Sequence, residues 1–220
     1  MIPTDEQIMK DVVDQLYWDS RVDASKIKIN VIDGKVSLEG TVQDYTALQA
    51  ADSDVWAING VRDVQNSLTV KSPAAAIARD NDEVKSRIER VLLWDPNLEA
   101  SKFSVSVKNG EAKIQGSVDA YWKKIKAEQI AFNIAGVTGL INELVVIPQE
   151  NKADEVIAEE LMSALDRNSY VNPHNINIKV ENGKVTLFGK VRNSLAYRTA
   201  VDTARLTPGV KEVINQLSFA

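Results

Sequence analysis

The sequence predicts an α+β protein built as three tandem αββαβ sandwiches, each a three-stranded mixed sheet with two helices on one face. Three observations carry this. The stretch IKINVIDGKVSLEGTV (Ile27–Val42) returns as FSVSVKNGEAKIQGSV (Phe103–Val118) and again as INIKVENGKVTLFGKV (Ile176–Val191). An apolar stripe at helical spacing precedes every copy, and an alanine-bearing helical stretch with a closing alternating run follows it. Self-similarity at such a period marks an array of small units rather than one large domain. The repeats are placed at residues 1–72, 80–148 and 152–220.

Each repeat opens on a helix, because apolar residues recur at i, i+4 and i+8: Ile8, Val12, Leu16; Val84, Ile88, Leu92; Ile157, Leu161, Leu165. That spacing gives one face for a core. Acids gather at each start (Asp5 and Glu6; Asp80, Asp82 and Glu83; Asp154 and Glu155). There they meet the unpaired amides and the positive end of the macrodipole. A hairpin comes next, since an Asx-Gly pair between two alternating runs supplies the two positive φ angles of a type I′ turn. A second helix covers roughly 44–58, 120–134 and 193–206. Its inner face is small, with Ala51, Ala127 and Ala200, then Val55, Ala131 and Ala204, so it can sit close on a sheet. Gly60, Gly136 and Gly209 are read as left-handed glycines ending that helix. The closing runs VRDVQNSLTV, VTGLINELVV and VKEVINQLSF form a third strand. A right-handed crossover sets it parallel to the second. KSPAAAIAR (71–79) and PQENKA (148–153) read as linkers.

These residues together, a G-x-[VA]-x-[LI]-x-G-x-V hairpin, inward alanines and a closing G-V-x-x-V-x-N-x-L, resemble the BON domain (bacterial OsmY and nodulation), three times over nearly the whole chain. The resemblance implies an αββαβ sandwich in a bacterial protein of the OsmY-like osmotic and envelope-stress group. It implies a binding module for anionic phospholipid or envelope protein surfaces, with chaperone-like roles for some members. A cytoplasmic member linked to potassium sensing implies an alternative, an ion-responsive sensor holding potassium through backbone carbonyls. No catalytic residue and no cofactor comes with the family. Many relatives are exported behind a signal peptide. This chain runs from Met1 into an acidic amphipathic helix, so the expectation is cytoplasmic for the chain as given, and periplasmic if a signal was removed.

Composition agrees with a non-enzymatic reading. The 220 residues contain no cysteine, which excludes thiol catalysis, disulfides and thiolate metal sites. The single histidine, His174, has no counterpart in the other copies. The hairpin glycines lack the spacing of a dinucleotide or phosphate loop. No metal site is expected. No apolar run is long enough to span a bilayer. The net charge of −5 argues against nucleic acid. All of that excess lies in residues 1–78, with 7 Lys and Arg against 12 Asp and Glu.

Two surfaces invite partners. YWKKIKAEQI (Tyr121–Ile130) places Lys123 and Lys126 beside Tyr121 and Trp122 at the start of a helix. This is either a basic aromatic face for anionic lipid or a solvated face with one anchoring ring. Trp18 and Trp94 hold one repeat position, each before Asp, where the third copy has Arg167. They either cap the sheet edge or stand exposed for a partner, lipid or neighbouring repeat. Trp56 and Phe132 also match each other, against Arg205, and are candidates for contact between repeats.

Overall fold

The computed structural model describes residues 3–71 and 81–219; Asp80 and the linker stretch beyond Lys71 lie outside the described residues. The order of elements is α1 (Asp5–Trp18), β1 (Ile27–Ile32), β2 (Lys35–Val42), α2 (Tyr45–Ala57), β3 (Asp63–Val70), then α3 (Asn81–Trp94), β4 (Ser104–Lys108), β5 (Glu111–Val118), α4 (Tyr121–Phe132), β6 (Gly139–Val146), and finally α5 (Asp154–Asp166), β7 (Ile176–Glu181), β8 (Lys184–Val191), α6 (Ser194–Leu206), β9 (Glu212–Phe219). It is the same αββαβ order three times.

Helix α1 begins at a capping box. The Thr4 hydroxyl accepts from the Gln7 amide, and the Gln7 side chain accepts from the Thr4 amide. Two of the helix's orphan donors are thereby satisfied. The predicted stripes are the buried faces: Ile8, Val12 and Leu16 on α1, Val84, Ile88 and Leu92 on α3, Ile157, Leu161 and Leu165 on α5. The first acid of the helix does a second job that the dipole argument missed. Asp5 accepts from the turn amides of Asp33 (2.8 Å) and Gly34 (2.9 Å). Asp154 does the same for Asn182 (2.6 Å) and Gly183 (2.8 Å). In the middle repeat Asn81 reaches only the Gly110 amide, at 3.4 Å. Each first helix is thus tied to the tip of its own hairpin.

Those tips are two-residue turns with positive φ at both positions, +53° and +74° at Asp33-Gly34, +53° and +82° at Asn109-Gly110, +54° and +78° at Asn182-Gly183. β1 pairs antiparallel with β2, Ile32 opposite Lys35, and β2 pairs parallel with β3 over Lys35–Val42 and Asp63–Val70. β7, β8 and β9 repeat this pairing, and the middle sheet has the order β4-β5-β6. The second hairpin glycine has its own cause. A side chain at Gly40, Gly116 or Gly189 would strike the backbone carbonyl of Lys26, Lys102 or Asn175, and φ there is +130° to +138°.

Asp44 and Asn193 cap α2 and α6 by accepting from Ala47 and Ala196. The small residues Ala51, Val55, Ala127, Ala131, Ala200 and Ala204 are all fully buried. Gly60, Gly136 and Gly209 differ from expectation. The helices end before them, at Ala57, Phe132 and Leu206, and each glycine is the third residue of a β-turn. Val61 donates to Ile58, Val137 to Ile134 and Val210 to Thr207, with φ of +93°, +102° and +90° at the glycine. The positive φ belongs to the turn that launches the third strand, not to a helix cap. In that strand Asn66, Asn142 and Asn215 each accept from the amide two residues on, Leu68, Leu144 and Leu217.

The chain divides into two compact units, Met1–Trp94 with Val105–Ile114 and Glu128–Ile141, and Asp95–Ser104 with Gln115–Ala127 and Asn142–Ala220. Residues of the middle repeat are shared between them. Inside the first unit the Tyr45 ring stacks on Phe132, centroids 3.9 Å apart and planes 10° from parallel. Beside the stack the Thr46 hydroxyl donates to the Asn133 side chain at 3.0 Å. Inside the second unit Tyr121 packs against the core of the third repeat, built from α5, α6, β7 and β8.

Candidate binding surface

Two of the sequence-selected tryptophans stand in solvent. Trp18 and Trp94, the last residues of α1 and α3, are each 81% exposed, which rules out a sheet-edge cap. Each follows another exposed side chain, Tyr17 at 76% and Leu93 at 65%. Tyr17 meets Trp18 edge to face, with centroids 6.3 Å apart. The third repeat lacks the tryptophan and exposes Tyr170 in the loop after α5 instead. Every repeat therefore presents a large ring at or shortly after the end of its first helix. Single exposed apolar residues are ordinary on soluble proteins. The same exposure at one matched corner, twice with tryptophan, is not a scatter of that kind.

The backbone beneath these rings is held firmly. After Trp18, the Arg21 guanidinium donates to both oxygens of Asp19, at 2.5 to 3.0 Å, holding that carboxyl well below the usual aspartate range. Below it lies Asp54 of α2, 9% exposed, with one oxygen accepting from Gln15 at 3.2 Å. Its other oxygen has no donor and faces the Asp19 carboxylate. Burial, then the neighbouring charge of Asp19, pushes the Asp54 carboxyl upward. Of the two acids, Asp54 is therefore the one that takes up a proton first as pH falls. After Trp94, Asp95 takes the Lys126 ammonium at 2.9 Å, and that bond holds its carboxyl below the usual range.

On the α4 face the aromatic and basic residues singled out in the sequence are engaged within the protein. Tyr121 is packed against the third repeat's core, and Trp122 is half-buried. Lys123 binds Asp119 at 2.7 Å and lies 5.7 Å from the Trp122 ring centroid. With Lys126 on Asp95, both lysines are committed inside the protein rather than presented as loose cations. Trp56 is 9% exposed, and Phe132 carries the stack with Tyr45. Sequence reasoning did not find Tyr45 or Asp54. Tyr45 could have been found, because it matches Tyr121 and opens the same helix. Asp54 has no equivalent, with Ile130 and Thr203 at its place, so no pattern signalled it.

Among the described residues no group of three or more His, Asp or Glu side chains could hold a metal ion, and no helix is long and apolar enough to cross a membrane.

Comparison with known proteins identifies the family of the repeated fold. The chain is 27% identical over 170 residues to a 21 kDa hemolysin of Actinobacillus pleuropneumoniae, covering 74% of this chain and 87% of that one. It is 27% identical over 145 residues to the outer membrane lipoprotein DolP of Haemophilus influenzae, covering 64% and 75%. Among solved structures, the CdsD protein of the type III secretion system of Chlamydia trachomatis aligns over 97% of this chain and 92% of its own, at 16% identity and a TM-score of 0.27. The BON domain matches residues 4–72, 80–148 and 153–220. The chain belongs to the BON domain family, which it contains in three tandem copies.

Proposed function

We propose that this is a non-catalytic binding module of the bacterial envelope-stress response that docks on anionic phospholipid surfaces through its aromatic corners. The observation that carries this reading is the pair Trp18 and Trp94, matched in position and exposed to the same degree. An indole has an apolar body and one polar N–H, and suits the boundary between headgroup and acyl chain. A ring kept in water at no benefit to the fold gains free energy on entering that boundary. Burying one large apolar side chain is worth about 1.5–3 kcal/mol. The rigid backbone below each ring means little ordering remains to be done on docking. A relative named as an outer membrane lipoprotein gives the reading its context.

The net charge of −5 opposes approach to an anionic surface, so the apolar term must lead. The test is co-sedimentation with phosphatidylglycerol and with phosphatidylcholine vesicles, comparing the native chain with the W18S/W94S double variant. The native chain pellets with the anionic vesicles, and the variant binds at least about tenfold more weakly. Equal, negligible pelleting with both vesicles removes the lipid reading and leaves an envelope protein as the partner to seek.

A further inference from the structure

The end of the second strand, the loop into the first strand and the start of the second helix enclose a small pocket in both the second and the third repeats. In the second repeat it has a volume of about 190 Å³ and is lined by Glu99, Lys102, Ser117, Asp119, Lys123 and Gln149. Its charges cancel internally: Lys102 pairs with Glu99, and Lys123 with Asp119, which also accepts from Gln149 at 2.9 Å. In the third repeat the matched pocket, about 110 Å³, is lined by Tyr170, Asn172, Asn175, Lys190, Arg192 and Ala196 among others. Position by position, Asn172 stands for Glu99, Asn175 for Lys102, Lys190 for Ser117, Arg192 for Asp119 and Ala196 for Lys123. Both acids are gone, and two cations have entered, Lys190 on strand β8 and Arg192 just beyond its end. Among the described residues neither Lys190 nor Arg192 carries an ion pair, whereas Lys179 and Lys184 of the same hairpin pair with Glu181 and Glu212.

We propose that this third-repeat pocket binds the phosphate group of a small anion. The chemistry is specific in kind. Arg192, just past the end of β8, offers a planar fork for two phosphate oxygens, and Lys190, two residues earlier on β8, a point charge. Carboxamides of Asn172 and Asn175 add neutral donors. The pocket also opens onto the first turn of α6, whose amide end favours negative charge. The exposed Tyr170 ring forms a wall against which the rest of the ligand can lie. A volume of this size holds one phosphate group, with the remainder of the ligand outside it along Tyr170. The site is independent of the tryptophan corners of α1 and α3. Its phosphate can come from a phospholipid headgroup or from a soluble phosphate ester.

The test is an amide chemical-shift titration of the full chain with sodium phosphate against sodium chloride at matched ionic strength. Phosphate produces saturable shifts at Tyr170, Asn172, Lys190 and Ala196 that chloride does not. The K190S/R192D variant, which installs the second repeat's residues, raises the apparent Kd by at least about tenfold. The K179S variant, which removes a paired lysine from the same hairpin, leaves it unchanged. Should the double variant fail to melt cooperatively, R192Q replaces it, with the same expectation. Absence of phosphate-specific shifts, or equal loss in K179S and K190S/R192D, overturns the proposal. Glycerol phosphate and phosphatidylglycerol vesicles then separate the sources: weaker vesicle binding in K190S/R192D identifies a headgroup, and unchanged vesicle binding a soluble ester. Loss of vesicle binding in W18S/W94S with phosphate shifts intact tests the corner reading separately.

Discussion

Asp54 and Asp19 show how one buried oxygen can set a pH response. The Asp54 carboxyl is pushed up by burial and by the Asp19 charge, so the folded chain keeps its proton above the pH at which the unfolded chain releases it. Stability associated with that proton is present below the ordinary aspartate value and is lost as pH rises through the folded value. Asp19 is held low by Arg21 and acts in the opposite sense: its contribution is present above the ordinary value and is lost as pH falls. Replacing Asp54 by Asn keeps an acceptor for Gln15 and supplies a permanent donor toward Asp19. D54N is therefore expected to stabilise the chain by about 1 kcal/mol at pH 7, with the gain absent near pH 3.5. Urea unfolding at the two pH values measures it. A destabilised D54N at neutral pH contradicts the unfavourable pairing of the two carboxyls.

The tie between the first helix and the hairpin tip is unequal among the repeats. Asp5 and Asp154 each hold two turn amides, while Asn81 holds one at 3.4 Å. A carboxylate accepting amide hydrogens outperforms a neutral amide oxygen, and position 81 also opens a helix. N81D should therefore stabilise by about 1 kcal/mol, and D154N should destabilise by about 1–2 kcal/mol. Thermal melts of the two variants should move in opposite directions.

At the scale of the element, each repeated signal had a single local cause, and that is why so much of the fold could be read in advance. The Asx-Gly turns, the i, i+4, i+8 stripes and the inward alanines are all there. The acids at the helix starts were legible as a cluster but not as turn anchors, although they stand at one fixed spacing before the Asx-Gly pair. Gly60 and its partners were visible as punctuation, yet the sequence could not tell a helix cap from a type of β-turn two residues later. Exposure of Trp18 and Trp94 was beyond reach, because an indole at a helix end fits a cap or a free surface equally well. The uncancelled charge of Lys190 and Arg192 becomes visible only when the matched pockets are compared.

Between elements, Tyr45 on α2 and Phe132 on α4 bring the first and second repeats into contact. Aromatic pairs contribute about 0.5–1.5 kcal/mol beyond the area they bury. A double-mutant cycle of Y45A and F132A, read by urea unfolding, should return a coupling energy in that range. Additive single effects would show that the two repeats do not stabilise one another through this stack.

For the whole molecule, we propose that the boundaries at 1–72, 80–148 and 152–220 delimit three domains whose sequences diverged in charge and surface while their cores stayed alike. The first repeat holds the entire acidic excess, the first two carry the tryptophan corners, and the third carries the open cationic pocket. A triplicated sandwich lets one copy change its surface without disturbing the packing of the others.

The central claim is that Trp18 and Trp94 enter the lipid boundary. Of the four tryptophans, Trp56 and Trp122 can be removed as W56F and W122Y, the first substitution being the residue the second repeat already carries at that position. The remaining fluorescence then reports the two corners alone. With phosphatidylglycerol vesicles containing brominated acyl chains, the account predicts a blue-shifted emission and strong quenching. Emission that stays at its aqueous wavelength and is unquenched by the brominated chains, under conditions where the protein pellets with the vesicles, would contradict it.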